Sequence, residues 1–272
     1  WNVYPTQALV HFRCNDNAAS TTITDNGSNA TNATAYTGVT TLNTSVISSA
    51  GKICNSFSFT SASSHNAVLG AGTLTAVTAN TIGSFSFWVY PNSAPATNTM
   101  IFNLSDDNVD SRFNIGFGTS GSLRIYIGTA GTSSIICTST INISTGVWTY
   151  CAIVQSGGTA GPAFYINNSL DTTVFQDSTD RAAWIDDAGG AAINRGNIAC
   201  RTDNADVKTN FYNGRVDDFR YYSSVLSTLE LTSIYAEGNG NEAIVGIVQE
   251  GTTTKLGSNS LRINSTGEYT IT

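Results

Sequence analysis

The chain has 272 residues, 40% of them hydrophobic and only 11% charged, with a formal net charge of −7. This is enough apolar material for one large domain with a full core, and the 12 Lys and Arg residues form no basic track for phosphates. Nucleic acid is therefore not an expected partner, and the same shortage of cations disfavours an anionic membrane surface. No apolar run reaches the length of a transmembrane helix, so no membrane insertion is expected.

Ser, Thr, Asn and Gly stand in for the missing charge, and these residues suit strand surfaces and turns better than exposed helices. In chain order, β-patterned runs occur at Ala8–Arg13, Ile53–Thr60, Phe85–Tyr90, Met100–Leu104, Phe113–Phe117 and Leu123–Ile127. They continue through Ile135–Thr138, Thr149–Gln155, Ala163–Asn167 and Arg215–Tyr222. Turn clusters such as Asp25-Asn26-Gly27, Tyr90-Pro91-Asn92 and Ser156-Gly157-Gly158 separate them, the pattern of a sandwich or barrel.

One helix is legible. Ser227-Thr228-Leu229-Glu230 fits a capping box, and Leu226, Leu229, Ile234 and Tyr235 offer an apolar side for packing on a sheet. The helix is expected to end near Gly238, where Asn239-Gly240-Asn241 marks a boundary. The spacing divides the chain into a domain over 1–238 and a β-strand-rich extension over 239–272, with apolar runs at Ala243–Val248 and Leu261–Ile263. The extension is too small to make a core alone, so it adds edge strands or contacts another copy of the chain.

The five cysteines (Cys14, Cys54, Cys137, Cys151, Cys200) form no C-x-x-C spacing, which argues against zinc. Cys14 with Cys54 and Cys137 with Cys151 are candidate disulfides, and buried free thiols are the equal alternative.

Five segments together resemble the laminin-G-like, concanavalin A-like lectin/glucanase jelly-roll superfamily. They are Leu9–Asp16, Gly51–Phe59, Phe85–Pro91, the pair Gly146–Val154 and Phe164–Asn168, and the closing run Phe211–Tyr222 followed by Leu226-Ser227. The resemblance spans roughly residues 8 to 238. It implies an all-β fold, a two-sheet antiparallel jelly-roll sandwich with one short C-terminal helix and binding loops along one rim. The segment Leu256–Gly267 also resembles repeats of viral fibre proteins.

Catalytic chemistry finds little support in the residues. Sandwich glycosidases carry paired carboxylates two apart on one strand, whereas all five glutamates here lie in or beyond the terminal helix. Of the two histidines, His11 sits in an apolar strand and His65 in a Ser-rich loop, with no nucleophile elbow or metal motif. Binding chemistry has better candidates. Asp106, Asp107 and Asp110 place hard oxygen ligands in one loop, suiting calcium, with Asp203 and Asp206 as a second cluster and a solvated turn as the plain alternative. A sugar platform is expected on the face where alternation puts Trp88 and Tyr90, with Tyr150 on a neighbouring strand, unless Trp88 is covered.

The expected function is a non-catalytic recognition or adhesion module. Its partner is a glycan or glycosylated surface, and the module is displayed outside the cell or on a virion or fibre. A structural subunit of a virion or filament, assembled as a homo-oligomer, is the rival reading. A polysaccharide-degrading enzyme comes third.

Overall fold

The computed structural model describes residues 5–241 and the two short strands Leu261–Ile263 and Tyr269–Ile271. Two antiparallel sheets face each other across one core, as the all-β reading expects. Among the described residues the first sheet has eight strands, in the order Ser169–Asp171, Ala163–Ile166, Thr149–Gln155, Gly83–Pro91, Gly214–Tyr222, Asn55–Phe59 and Ser48–Ala50, with Val10–Phe12 also paired to Gly214–Tyr222. The second has ten. Its order is Thr173–Ser178, Thr132–Asn142, Ser122–Thr129, Arg112–Phe117, Met100–Ser105, Arg195–Ile198, His65–Val68, Ala33–Thr37 and Thr22–Ile23, with Thr40–Thr41 on Ala33–Thr37.

Strand alternation decides what fills the space between the sheets. Phe85, Phe87 and Val89 point inward from the first sheet, and Phe113, Ile115 and Phe117 answer from the second. Phe85 is the hub: its ring centroid lies 4.6–5.9 Å from those of Phe102, Phe113, Trp184, Phe219 and Tyr221. Such pairs add about 0.5–1.5 kcal/mol each beyond the burial of their area.

The predicted helix forms over Thr228–Tyr235, and both halves of the Ser227–Glu230 capping box are present. Its buried side differs from the expectation at one position. Leu231 and Ile234 are buried while Leu229 faces solvent, because Leu231, Ile234 and Tyr235 share one helical face and Leu229 lies nearly opposite. The helix lies on the outer face of the eight-stranded sheet, over Trp88, Tyr150, Ala152 and Val154.

No cysteine of this structure is disulfide-bonded. Cys137 belongs to the ten-stranded sheet and Cys151 to the eight-stranded one, both in the core, while Cys14 is buried and Cys54 exposed. Burial pushes the Cys137 and Cys200 thiols up to about 12, so they are unreactive at neutral pH.

Several elements carry no strong sequence signal. Ala33–Thr37, His65–Val68 and Arg195–Ile198 are short strands rich in Ala, Thr and Asn, and the helix Ala71–Val77 has neither a side-chain cap nor acidic residues in its first turn. In the expected extension, Leu261–Ile263 pairs antiparallel with Tyr269–Ile271, and the run Ala243–Val248 lies outside the described residues.

Candidate functional site: the polar face of the ten-stranded sheet

The two outer faces of the sandwich differ in kind. On the eight-stranded sheet, Trp88 stacks on Tyr235 of the helix at 5.8 Å, and Tyr150 meets the same ring at 5.4 Å. Trp88 is 2% exposed and Tyr150 fully buried, so neither presents a ring to a sugar. This corrects the expected platform: alternation rightly turns both rings outward from the core, but the C-terminal helix covers them. Tyr90 alone of the three keeps an exposed edge, with Arg215 over its ring at 4.8 Å and Trp148 at 5.5 Å.

The same outer face holds a buried ionic cluster. Asp218 Oδ1 accepts from the Arg220 guanidinium at 2.9 Å and from His11 Nε2 at 2.7 Å. Burial lowers the His11 pKa and Arg220 lowers it further, against the pull of Asp218, so His11 is neutral and donates its Nε2–H. For Asp218, burial opposes ionisation, but Arg220 and the His11 hydrogen bond outweigh it and hold the carboxyl below its ordinary range. Asp217 caps a loop instead: its Oδ2 accepts from the backbone N–H of Lys52 and Ile53 at 2.7 and 2.8 Å. A Cβ at Gly51 would lie 2.6 Å from that oxygen, so only glycine fits there. These groups tie strand to strand and the sheet to its loop, a structural role.

The outer face of the ten-stranded sheet is polar; Arg112 and Arg124 are half-buried there, and the amides of Asn103, Asn114 and Asn197 beneath them are buried. Register builds the face row by row. Asn197 stands opposite Asn103, Asn103 opposite Asn114, and Asn114 opposite Tyr126. The amides are linked, Asn103 Nδ2 donating to Asn114 Oδ1 at 2.7 Å. Along the strands, two residues to either side, the same face presents Arg112 and Arg124. Both guanidiniums lie on the Tyr126 ring, at 4.5 and 5.7 Å from its centroid. The ring has room because Gly128 has no side chain; a Cβ there would meet the Tyr126 hydroxyl at 2.8 Å. Thr138, opposite Arg124, receives a hydrogen bond from Gln176 at 3.1 Å and extends the polar surface to the edge strand.

A hairpin closes one side of this face. Arg201–Thr202 pairs with Lys208–Thr209, and Ser105, opposite Arg112, donates from Oγ to the Thr202 carbonyl at 2.9 Å. This brings Arg201 alongside Arg112. Partial burial and the neighbouring Arg201 charge hold the Arg112 guanidinium below its ordinary range, and burial does the same to Arg124. Alternation in Arg112–Phe117 and Ser122–Thr129 already puts Arg112, Asn114, Arg124 and Tyr126 opposite the apolar set. That signal was available in the sequence, whereas the arrival of Arg201 depends on the tertiary fold.

The acidic loops are used internally. Asp107 and Asp206, from the two expected calcium clusters, share Arg195 at 2.6 and 2.7 Å. Asp110 pairs with Arg112, and Asp106 Oδ1 accepts from its own loop's Asn108 N–H at 2.9 Å. A guanidinium thus stands where a calcium ion was expected, and no group of three or more acidic, His or Cys side chains among the described residues is arranged to hold a metal. Calcium is accordingly expected to leave the thermal midpoint unchanged between chelator and millimolar ion. A rise of several degrees on adding calcium would contradict these pairings.

A rim cleft of about 520 Å³ lies between the helix Ala71–Val77 and the loop 186–194. Asp186 is the one carboxylate in its lining, held above its ordinary range by burial and then by Asp187. Glycoside hydrolysis by general acid and base needs a second carboxyl across the scissile bond, which this cleft does not offer.

The sequence profile that matches residues 59–232 is that of the concanavalin A-like lectin/glucanase superfamily, under its laminin-G-type division. This chain belongs to that superfamily. No curated protein matches it in sequence. Solved structures with the superfamily fold resemble it at low identity. Domain 4 of AbnA, an extracellular arabinanase of Geobacillus stearothermophilus solved with arabinotriose, has a TM-score of 0.57 at 16% identity, covering 86% of this chain and 98% of that one. The Ruminococcus gnavus IT-sialidase CBM40, bound to α2,3 sialyllactose, has a TM-score of 0.50 at 13% identity, covering 66% and 92%. The binding domain of Paraclostridial Mosquitocidal Protein 1 has 0.53 at 14%, covering 85% and 52%. Among the described residues no helix is long and apolar enough to cross a membrane.

Proposed function

We propose that this chain is a non-catalytic carbohydrate-recognition module that binds glycans on the outer face of its ten-stranded sheet. The observation that carries this is the contrast between the faces. One carries its rings and its ion pairs sealed under a helix; the other presents half-buried guanidiniums over a Tyr126 ring and a row of buried amides held by the sheet. Sugars present hydroxyls that both donate and accept, and planar Arg, Asn and Gln side chains answer them with fixed directions. Placing these groups on paired strands fixes their spacing before binding, so little ordering is lost. The similar folds that were solved with arabinotriose and α2,3 sialyllactose support a glycan partner. The module works outside the cell, where such partners are displayed, and the extracellular arabinanase domain of the same fold supports that setting.

A glycan array with the full chain tests the proposal. The wild-type protein binds a defined glycan, Tyr126→Ala loses at least tenfold in affinity while circular dichroism shows it still folded at the assay temperature, and Tyr90→Ala changes little. Loss in Tyr90→Ala with binding intact in Tyr126→Ala would move the site to the other face. No binding to any glycan would overturn the recognition role.

A further inference from the structure

Resting on the recognition role just proposed, we infer that the glycan bound at this face is acidic, its carboxylate or sulfate held by Arg124 and Arg201 beside the Arg112–Tyr126 stack. The chain as a whole repels anions, with a net charge of −7. Its carboxylates nevertheless leave this patch largely uncompensated. Arg112 has Asp110, but among the described residues neither Arg124 nor Arg201 is ion-paired. Arg124 donates to the neutral Asn98 Oδ1 at 2.6 Å, and Arg201 Nε is enclosed with no hydrogen-bond partner.

Three guanidiniums against one carboxylate, two on the sheet face and one on the flanking hairpin, is an unfavourable arrangement in the free protein. Each is partly withdrawn from water, and the Arg112 and Arg201 charges repel. Arg112 and Arg124 are held against Tyr126 and the Arg201 Nε is enclosed, which limits their freedom to separate. An anion arriving there relieves the repulsion and gains charge-assisted hydrogen bonds of fixed planar geometry. A neutral sugar gains neither. The exposed amide of Gln176, anchored on Thr138 at the edge of the patch, suits the uncharged hydroxyls of the same ligand.

The test is an array on which each carboxylated or sulfated glycan sits beside its neutral parent, for instance 3′-sialyllactose and 3′-sulfated lactose beside lactose. The full chain is applied at 0.05 and at 0.5 M salt. The expected result is at least tenfold preference for acidic members and a severalfold weakening at high salt. Arg124→Gln and Arg201→Gln should each lower the acidic signal about tenfold with unchanged thermal midpoints. Arg124→Lys, which keeps the charge and loses the fork, should lie between. Preference for the sialylated or the sulfated member identifies the anion. Equal binding of neutral parents, or Gln variants that bind acidic glycans as well as wild type, overturns the acidic ligand and leaves the recognition role standing. Silence across the whole array overturns the recognition role itself.

Discussion

Asp218→Ala should destabilise the protein by about 3–5 kcal/mol, the usual result of removing one member of a buried ion pair. The carboxylate is 1% exposed and receives both His11 and Arg220 on one oxygen. Without it, Arg220 stays buried with only the Tyr222 hydroxyl at 3.5 Å and the Asn241 carbonyl as acceptors. Urea unfolding at pH 7.5 reads this directly. A loss below about 1 kcal/mol, the range of an exposed pair, would mean the cluster is wet.

The same cluster sets an acid dependence whose sign follows from the two shifts. His11 is held neutral in the fold, with its pKa below the ordinary 6.5. The unfolded chain therefore takes up its proton first, and stability declines as pH falls from about 6.5. His65, also lowered by burial, shares this window. Asp218 is held below its ordinary value, so its contribution is present above about pH 4 and lost as the pH falls further. A His11→Gln variant should flatten the limb below pH 6.5 in part, leaving the share of His65.

Phe85→Ala should cost about 3–5 kcal/mol by the same measurement, for a different reason. Phe85 is fully buried and touches rings from both sheets and from the loop carrying Trp184. Those neighbours sit on separate strands fixed by hydrogen-bonded ladders, so the space left cannot close by shifting one element. A loss under about 1.5 kcal/mol would show that the rings repack.

Both results bear on what the sequence can convey. Phe85, Phe87 and Val89 alternate against Ser86, Trp88 and Tyr90, and that period places the first set in the core without any structure. The capping box likewise fixes where the helix starts, because its hydrogen bonds are local. What alternation cannot supply is the cover on the second set. Tyr235 stacks on Trp88 from far along the chain, and this contact separates a buried plug from a sugar platform. The acidic loops are ambiguous for a similar reason, since an Asp-rich turn reads the same whether a metal or Arg195 satisfies it. Arg112, Asn114, Arg124 and Tyr126 were legible as one side of two strands. Their meeting required the register that sets Asn114 opposite Tyr126, and a hairpin that brings Arg201 beside them.

The most direct test of the binding face is amide chemical-shift mapping during titration of the full chain with its best array glycan. Perturbations concentrated on Arg112–Phe117, Ser122–Thr129 and the hairpin at Arg201–Thr209 are the predicted result. Perturbations centred on Tyr90, Trp148 and the helix Thr228–Tyr235, with the ten-stranded sheet silent, would contradict it.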